Sequence, residues 1–270
     1  MAIVNRTPDS FFDAGATYAL DTALAHAEAQ VRGGADIIDV GGVKAGPGAE
    51  VSVDEELERI VPFVAAFRAR QPTPVSVDTY RPEVAEAALA AGADLVNDST
   101  GLSDPRIADV VAAHDGAGLV ITHHGGPRRS RPFRPDYDPD VISAAVRRCG
   151  ELAGEALRRG VPHEQIILDP GHDLFKTTAQ TLQVTRHIAR LCALGHPVLV
   201  AMSNKDFVGE ALGLELSERA DASLAAAVFA VLHGARLVRT HDAVATSRAL
   251  RMIAVLLGWR SPVSAVRGLD

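Results

Sequence analysis

Short apolar runs rich in Val, Ile and Leu recur eight times along this chain, each ending in polar residues and followed by a stretch of helical periodicity. They predict strands over residues 2–5, 36–40, 75–78, 94–97, 118–122, 166–169, 198–201 and 236–240. Helical spacing predicts helices over 20–32, 53–70, 82–90, 141–159, 180–194 and 222–232, and a last one over 243–257. Continuous apolar strands alternating with amphipathic helices mark a parallel sheet covered by helices. Glycines 33–34, 92, 160, 195 and 234 follow helical stretches, where a left-handed cap or tight turn suits a residue without Cβ. Eight units favour closure into a (β/α)8 TIM barrel of the α/β class over a doubly wound open sheet. No linker, low-complexity tract or charge run divides the chain, so one domain is expected to span 1–270.

Closure would aim the carboxyl ends of all strands at one mouth. Asn5, Asp39, Asp78, Asn97-Asp98, Thr122-His123-His124, Asp169, Ser203-Asn204-Lys205 and Arg239-Thr240-His241-Asp242 would then gather there. Asp78, Asn97, Asp169 and Lys205 combine two carboxylates, an amide and an ammonium. That set suits a flat heterocycle with a guanidine-like edge, because carboxylates accept paired N–H groups while Lys and Asn reach a carbonyl and ring nitrogens. The plainer alternative is that polar strand ends merely cap helices. Asn5, Arg239 and His241 end the first and last strands, neighbours in a closed barrel, and form a candidate anion clamp. Its alternative is a buried ion pair between Arg239 and Asp242.

Composition narrows the classes. With 270 residues and 47% hydrophobic content, the chain can bury the core of one barrel. A net charge of −7 lacks the basic face of a nucleic-acid surface. No stretch approaches about 18 apolar residues, and MAIVNRTPDS is too short an apolar start for a signal peptide. These features imply a cytoplasmic protein with neither membrane nor nucleic acid as partner. Cys149 and Cys192 sit in helix-like segments without CxxC spacing and read as free thiols. Long loops over 6–19, 41–52, 123–137 and 170–178 carry Gly, Pro and charge, as functional loops do. The third of them crowds Arg128, Arg129, Arg131 and Arg134. A solvated loop is the plain reading, and a site for an anionic ligand or acidic partner is the sharper one.

Motif wording adds a family. Asn5-Arg6-Thr7-Pro8-Asp9-Ser10-Phe11, Asp39-Val40-Gly41-Gly42, Ser76-Val77-Asp78-Thr79, Asn97-Asp98, Asp169-Pro170-Gly171, Ser203-x-Lys205 and Arg239-x-His241-Asp242 occur in that order over nearly the whole chain. This resembles dihydropteroate synthase, and N-x-TPDSF together with DPG makes the resemblance specific. The resemblance implies that Asp78, Asn97, Asp169 and Lys205 hold a pterin ring. It implies that Asn5 helps bind Mg²⁺ and pyrophosphate, and that Arg239 and His241 clamp the phosphates. Lys205, Arg239 and His241 would then be the catalytic set. The implied reaction joins a dihydropterin methyl pyrophosphate to p-aminobenzoate by dissociative loss of pyrophosphate, in a homodimer. Cations would stabilise the leaving group, and closed loops would keep water from the pterin-methyl cation.

The chain departs from that pattern on one side. Where the family reads G-G-E-S-T-R-P-G after the second strand, this chain reads Gly41-Gly42-Val43-Lys44-Ala45-Gly46-Pro47-Gly48. Ala45 replaces the Thr that touches p-aminobenzoate, and Gly46 replaces the Arg that closes over pyrophosphate. Leu174 replaces the Phe that packs on the second substrate, and Asn204 stands where S-R-K has Arg, beside an unchanged Ser203. One lost charge-assisted contact costs about 1.5–3 kcal/mol, or one to two decades in rate. Family members also usually carry extra residues before the first strand. The first reading is a divergent synthase-like protein, similar to the second copy some actinobacteria carry, with weak or absent activity. The second is an active synthase in which Lys44 and His172 replace the lost groups. The third is a non-catalytic pterin or phospho-ligand binding protein. A methyl-tetrahydrofolate methyltransferase has no need of Asn5, Arg239 or His241. A metal-dependent hydrolase would need a His-x-His that the first strand lacks.

Overall fold

A computed structural model describes residues 1–7, 17–44, 50–126, 136–264 and 267. Eight strands alternate with helices. They are β1 (Ala2–Asn5), β2 (Ile38–Gly41), β3 (Val75–Asp78), β4 (Leu95–Asp98), β5 (Gly118–Thr122), β6 (Ile166–Asp169), β7 (Leu199–Ala201) and β8 (Leu237–Arg239). The helices are α1 (Leu20–Arg32), α2 (Val53–Arg68), α3 (Pro82–Ala90), α4 (Arg106–Ala112), α5 (Val141–Arg158), α6 (Thr178–Arg186), α7 (Ile188–Cys192), α8 (Asp206–Leu212), α9 (Ala220–Leu232) and α10 (Ala243–Leu256). Strands β1 to β6 form one parallel ladder and β7–β8 another. Bridges Leu168↔Val198 and Ala2↔Thr240 join the two ladders at both seams. At the second seam Ile3 N–H donates to Thr240 O and Thr240 N–H to Met1 O, both at 3.0 Å. The barrel is therefore closed, as eight βα units require.

Strand alternation explains where the polar groups go. Val4, Val40, Val77, Val96, Leu119, Ile121, Leu168, Val200 and Val238 face outward and pack against the helices in two large clusters. The alternate positions Leu95, Val120, Leu199 and Ala201 fill the barrel interior, with Ile167 and Leu237 beside them. The interior phase continues upward to Asn5, Asp78, Asn97, Asp169 and Arg239, the last inward positions of their strands. A helical coat makes the outer face apolar, and the open mouth lets the inner face end in charge.

Local chemistry places the helix starts. Ser52, Asp140, Thr177 and Asp242 accept backbone N–H bonds at the N-termini of α2, α5, α6 and α10. Asp242 is thus a cap rather than a partner of Arg239. The helix expected over 180–194 breaks at His187 into α6 and α7. Of the glycines expected after helices, Gly34, Gly92, Gly160, Gly195 and Gly234 take positive φ, whereas Gly33 stays right-handed at −75°. Both cysteines are free, and burial pushes the Cys149 thiol up to about 12. No helix among the described residues is long and apolar enough to cross a membrane.

Candidate active site

At the mouth, four strands meet through side chains. Arg239 Nε donates to Asp39 Oδ2 at 2.5 Å and its Nη2 to Asp78 Oδ2 at 2.9 Å. Asn97 Nδ2 donates to Asp39 Oδ2 at 3.3 Å. Asp39 is fully buried, so one guanidinium holds two inward carboxylates together. Burial pushes the Asp78 carboxyl up to about 7; Arg239 pulls it down, and the charges of Asp39, Glu56 and Asp98 push it further up.

On the other side of the mouth, Asp169 Oδ1 accepts the backbone N–H of Gly171 at 2.7 Å. Burial raises its pKa, opposed first by the nearby charge of Lys205. The Lys205 ammonium donates to the backbone carbonyl of His172. Burial lowers its pKa, while Asp173, Asp169 and, more weakly, Asp78 hold the proton on. Asp78, Asn97, Asp169, Lys205 and Arg239 therefore share one electrostatic neighbourhood. Its chemistry offers carboxylates to N–H donors and cations to acceptors or anions.

Ser203 and His241 form a second pair. Ser203 Oγ lies 2.9 Å from His241 Nδ1 and accepts the backbone N–H of His241 at 3.2 Å. A cavity of about 660 Å³ opens beside them, lined in part by Ser203, Arg239, Thr240 and His241 and walled by α9 and α10. Asn5 ends β1, and its backbone carbonyl accepts from Thr17 Oγ1 at 2.7 Å. Among the described residues no group of three His, Cys, Asp or Glu side chains could hold a metal ion. An amide oxygen such as that of Asn5 suits a Mg²⁺ carried mainly by phosphate and water, the usual arrangement for that hard, reluctantly dehydrated ion.

The loop after β6 is pinned from within. Lys176 Nζ donates to His123 O, Gly171 O and Leu174 O at 3.0–3.1 Å, and burial lowers its pKa to about 7. Asp173, with φ of 62°, accepts from Phe207 N–H at 3.1 Å and Thr181 Oγ1 at 3.2 Å. Leu174 is partly buried in this turn. His172 is fully buried, both ring nitrogens are sealed without a partner among the described residues, and burial drives its pKa well down. A sealed neutral ring makes a poor substitute for a lost rim cation. Asn204 takes φ of 57°, and its backbone carbonyl accepts from Arg219.

Other expected residues fall at or beyond the edges of the described segments. Lys44 is partly buried at the edge of the described segment. Ala45, Gly46, Arg128, Arg129, Arg131 and Arg134 lie outside the described residues. For Arg239 the sequence offers an anion clamp or an ion pair with Asp242; its ion-pair partners are Asp39 and Asp78, not Asp242. Asp39 itself is the residue that strand-end reasoning left without a role. Its signal was present, because it sits between Ile38 and Val40, which face the helices, and so must face inward.

Comparison with known proteins fits this geometry. The pattern of the family described as pterin binding enzyme matches residues 1–241. The chain belongs to that family. It is 49% identical to the inactive dihydropteroate synthase 2 of Mycobacterium leprae over 274 residues, covering all of this chain and 94% of that one. It is 39% identical to the dihydropteroate synthase of Bacillus subtilis, covering 95% of this chain and 88% of that one. The structure of Xanthomonas albilineans dihydropteroate synthase in complex with 7,8-dihydropteroate superposes with a TM-score of 0.84 at 38% identity, covering 95% and 92% of the two chains.

Proposed function

We propose that this chain binds a pterin pyrophosphate in the barrel mouth and joins it to p-aminobenzoate weakly or not at all. The observation that carries the reading is the inward polar ring, in which Asp78, Asn97, Asp169 and Lys205 lie around Arg239. Carboxylates accept the paired N–H groups of a pterin edge, and Lys205 and Asn97 supply donors for its carbonyl and ring nitrogens. Arg239 and His241, beside the cavity, would receive the pyrophosphate. Asn5 would give one oxygen to Mg²⁺, whose bound charge would stabilise the departing phosphates. The likeness to a mycobacterial protein named as inactive supports the weak or absent synthase step. So do Ala45, Gly46 and Leu174 on the second-substrate side.

Calorimetry with 6-hydroxymethyl-7,8-dihydropterin pyrophosphate, with and without Mg²⁺, tests the pocket, and a turnover assay with p-aminobenzoate tests the step. Binding with little turnover is expected. No heat at millimolar ligand would remove the pocket assignment, and turnover comparable to the Bacillus subtilis protein would remove the impaired step.

Assembly as a homodimer belongs to the same reading. Leu212, Met252, Leu256 and Trp259 are 54–67% exposed and lie on or just after α8 and α10, and Phe229 and Leu232 on α9 add to them. Exposed apolar side chains on these consecutive helices suit burial against a second copy. Sedimentation at micromolar concentration should give twice the chain mass. Free Cys149 and Cys192 support a reducing, cytoplasmic setting.

A further inference from the structure

The residue after Asn5 breaks the pattern of the strand it extends. Ala2 and Val4 pack toward the helices, and Arg6 continues that outward phase, its backbone N–H donating to Gly41 O at 2.8 Å. An arginine thus stands where an apolar residue would continue the layer. It is 8% exposed, and its Nε and Nη1 are sealed without a hydrogen-bond partner among the described residues.

Arg59 of α2 comes to the same place. It is 6% exposed; its Nη1 donates to Gly42 O at 2.7 Å, Nη2 pairs with Glu55, and Nε is sealed and unpartnered among the described residues. The Tyr18 ring lies 5.6 Å from Arg59 Cζ. Burial lowers the pKa of Arg6, Tyr18 opposes that shift, and Arg59 adds to it. The guanidinium nevertheless stays protonated at any ordinary pH.

Among the described residues, the nearby carboxylates are already engaged. Glu55 is taken by Arg59, and the fully buried Glu56 accepts from Thr79 Oγ1 at 2.7 Å and Arg81 Nη1 at 2.8 Å. Arg6 is anchored at Gly41 and Arg59 at Gly42, so two buried guanidinium groups are neighbours. Among the described residues only Arg59 has a carboxylate partner, the half-exposed Glu55. A buried charge without a counter-charge is strongly unfavourable, and adjacent like charges add repulsion. Both terms reverse sign when an oxyanion enters, since planar guanidinium groups bind carboxylate and phosphate through paired N–H bonds.

We propose that Arg6 and Arg59 form an oxyanion-binding subsite for the carboxylate or phosphate of a small ligand, set between the ends of β1 and β2 and α2. It is distinct from the Arg239–His241 pair, because Arg6 lies in the opposite strand phase to the inward ring. The proposal goes beyond the pterin reading and stands without it.

Melting of the full chain in chloride buffer, against inorganic phosphate and against benzoate at matched ionic strength, provides the test. His241→Ala removes a donor of the other anion site, so the comparison is H241A with H241A/R6M and H241A/R59M. An anion-dependent rise is expected in H241A, with its midpoint moved up by about ten-fold or more in both double variants. A response to phosphate alone names a phosphoryl ligand, and a response to benzoate alone a carboxylate. R6M by itself should melt no lower than wild type in chloride, because a buried charge with no ion-pair partner among the described residues has gone. Equal anion responses in H241A and both double variants, or no response in H241A, would overturn the proposal. If R6M fails to fold, R59M decides on the same criterion. Pterin pyrophosphate binding in R6M, measured by calorimetry, keeps this result apart from the fate of the pterin reading.

Discussion

On the inner face of the barrel, Arg239 ties Asp39 to Asp78 while Asn97 donates to Asp39, so side chains from four strands share one network. Around the rim, Lys176 donates to three backbone carbonyls, which fixes the loop after β6 rather than a ligand-binding group. The inner groups are placed by strand phase, which cannot drift without turning every neighbouring side chain over. The rim groups depend on loop residues, where a substitution changes the chemistry and leaves the fold alone. That difference shows how a chain can keep the framework of a pterin pocket and lose the second half of a reaction.

Breaking the inner network should have the largest effect. Arg239→Met leaves two inward carboxylates without their shared cation. Unfolding by urea should show a loss of about 3–5 kcal/mol, the usual cost of orphaning one side of a buried pair. A loss under about 1 kcal/mol would mean that the network is not holding the mouth together.

Rebuilding the rim should come next. Gly46→Arg with Leu174→Phe supplies a cation and an aromatic ring on the second-substrate side. Each restored contact is expected to raise turnover by about one to two decades, read in a steady-state assay with p-aminobenzoate. Unchanged turnover with intact pterin binding would place the block in the inner ring instead.

Acidity offers a sharper probe of Asp78. Its pKa is about 7 in the folded chain against the ordinary 3.8, so the folded state holds this proton more tightly than the unfolded one. Stability from this group is then fullest below pH 3.8 and is lost as pH rises through about 7. Asp78→Asn should flatten that slope in urea titrations at successive pH values. Pterin affinity should follow the opposite course and grow as the carboxylate ionises, because the ring N–H groups need an acceptor. A wild-type slope that survives Asp78→Asn would assign the titration to another group.

The smallest change is expected from Ser203→Ala. Loss of its contact to His241 Nδ1 should weaken pyrophosphate binding by about 0.5–1.5 kcal/mol in calorimetry, with little effect on the pterin ring itself.

Much of this was legible before any coordinates. The strands at 2–5, 75–78, 118–122 and 166–169 match β1, β3, β5 and β6, because each is a Val/Ile-rich run ending at a polar residue. Residues 36–40 and 236–240 are shifted or overlong against β2 and β8, since Asp36 and Arg236 lie in the short connections that precede those strands. Helices α4 and α8 went unassigned, each a seven-residue piece too short for its period to stand out. Asp78, Asn97, Asp169, Lys205 and Arg239 could be assigned to one mouth from topology alone. Neither the Arg239–Asp39–Asp78 bridge nor the burial of His172 could be.

The sequence by itself determined the eightfold alternation, the closed barrel and the identity of the groups at its mouth, because periodicity and strand-end position are local properties of the chain. The tertiary structure decided which of those groups pair and which titrate abnormally. Those outcomes depend on distances of a few ångströms between residues as far apart in sequence as Asp39 and Arg239, in a low-dielectric setting that exists only once the barrel has closed.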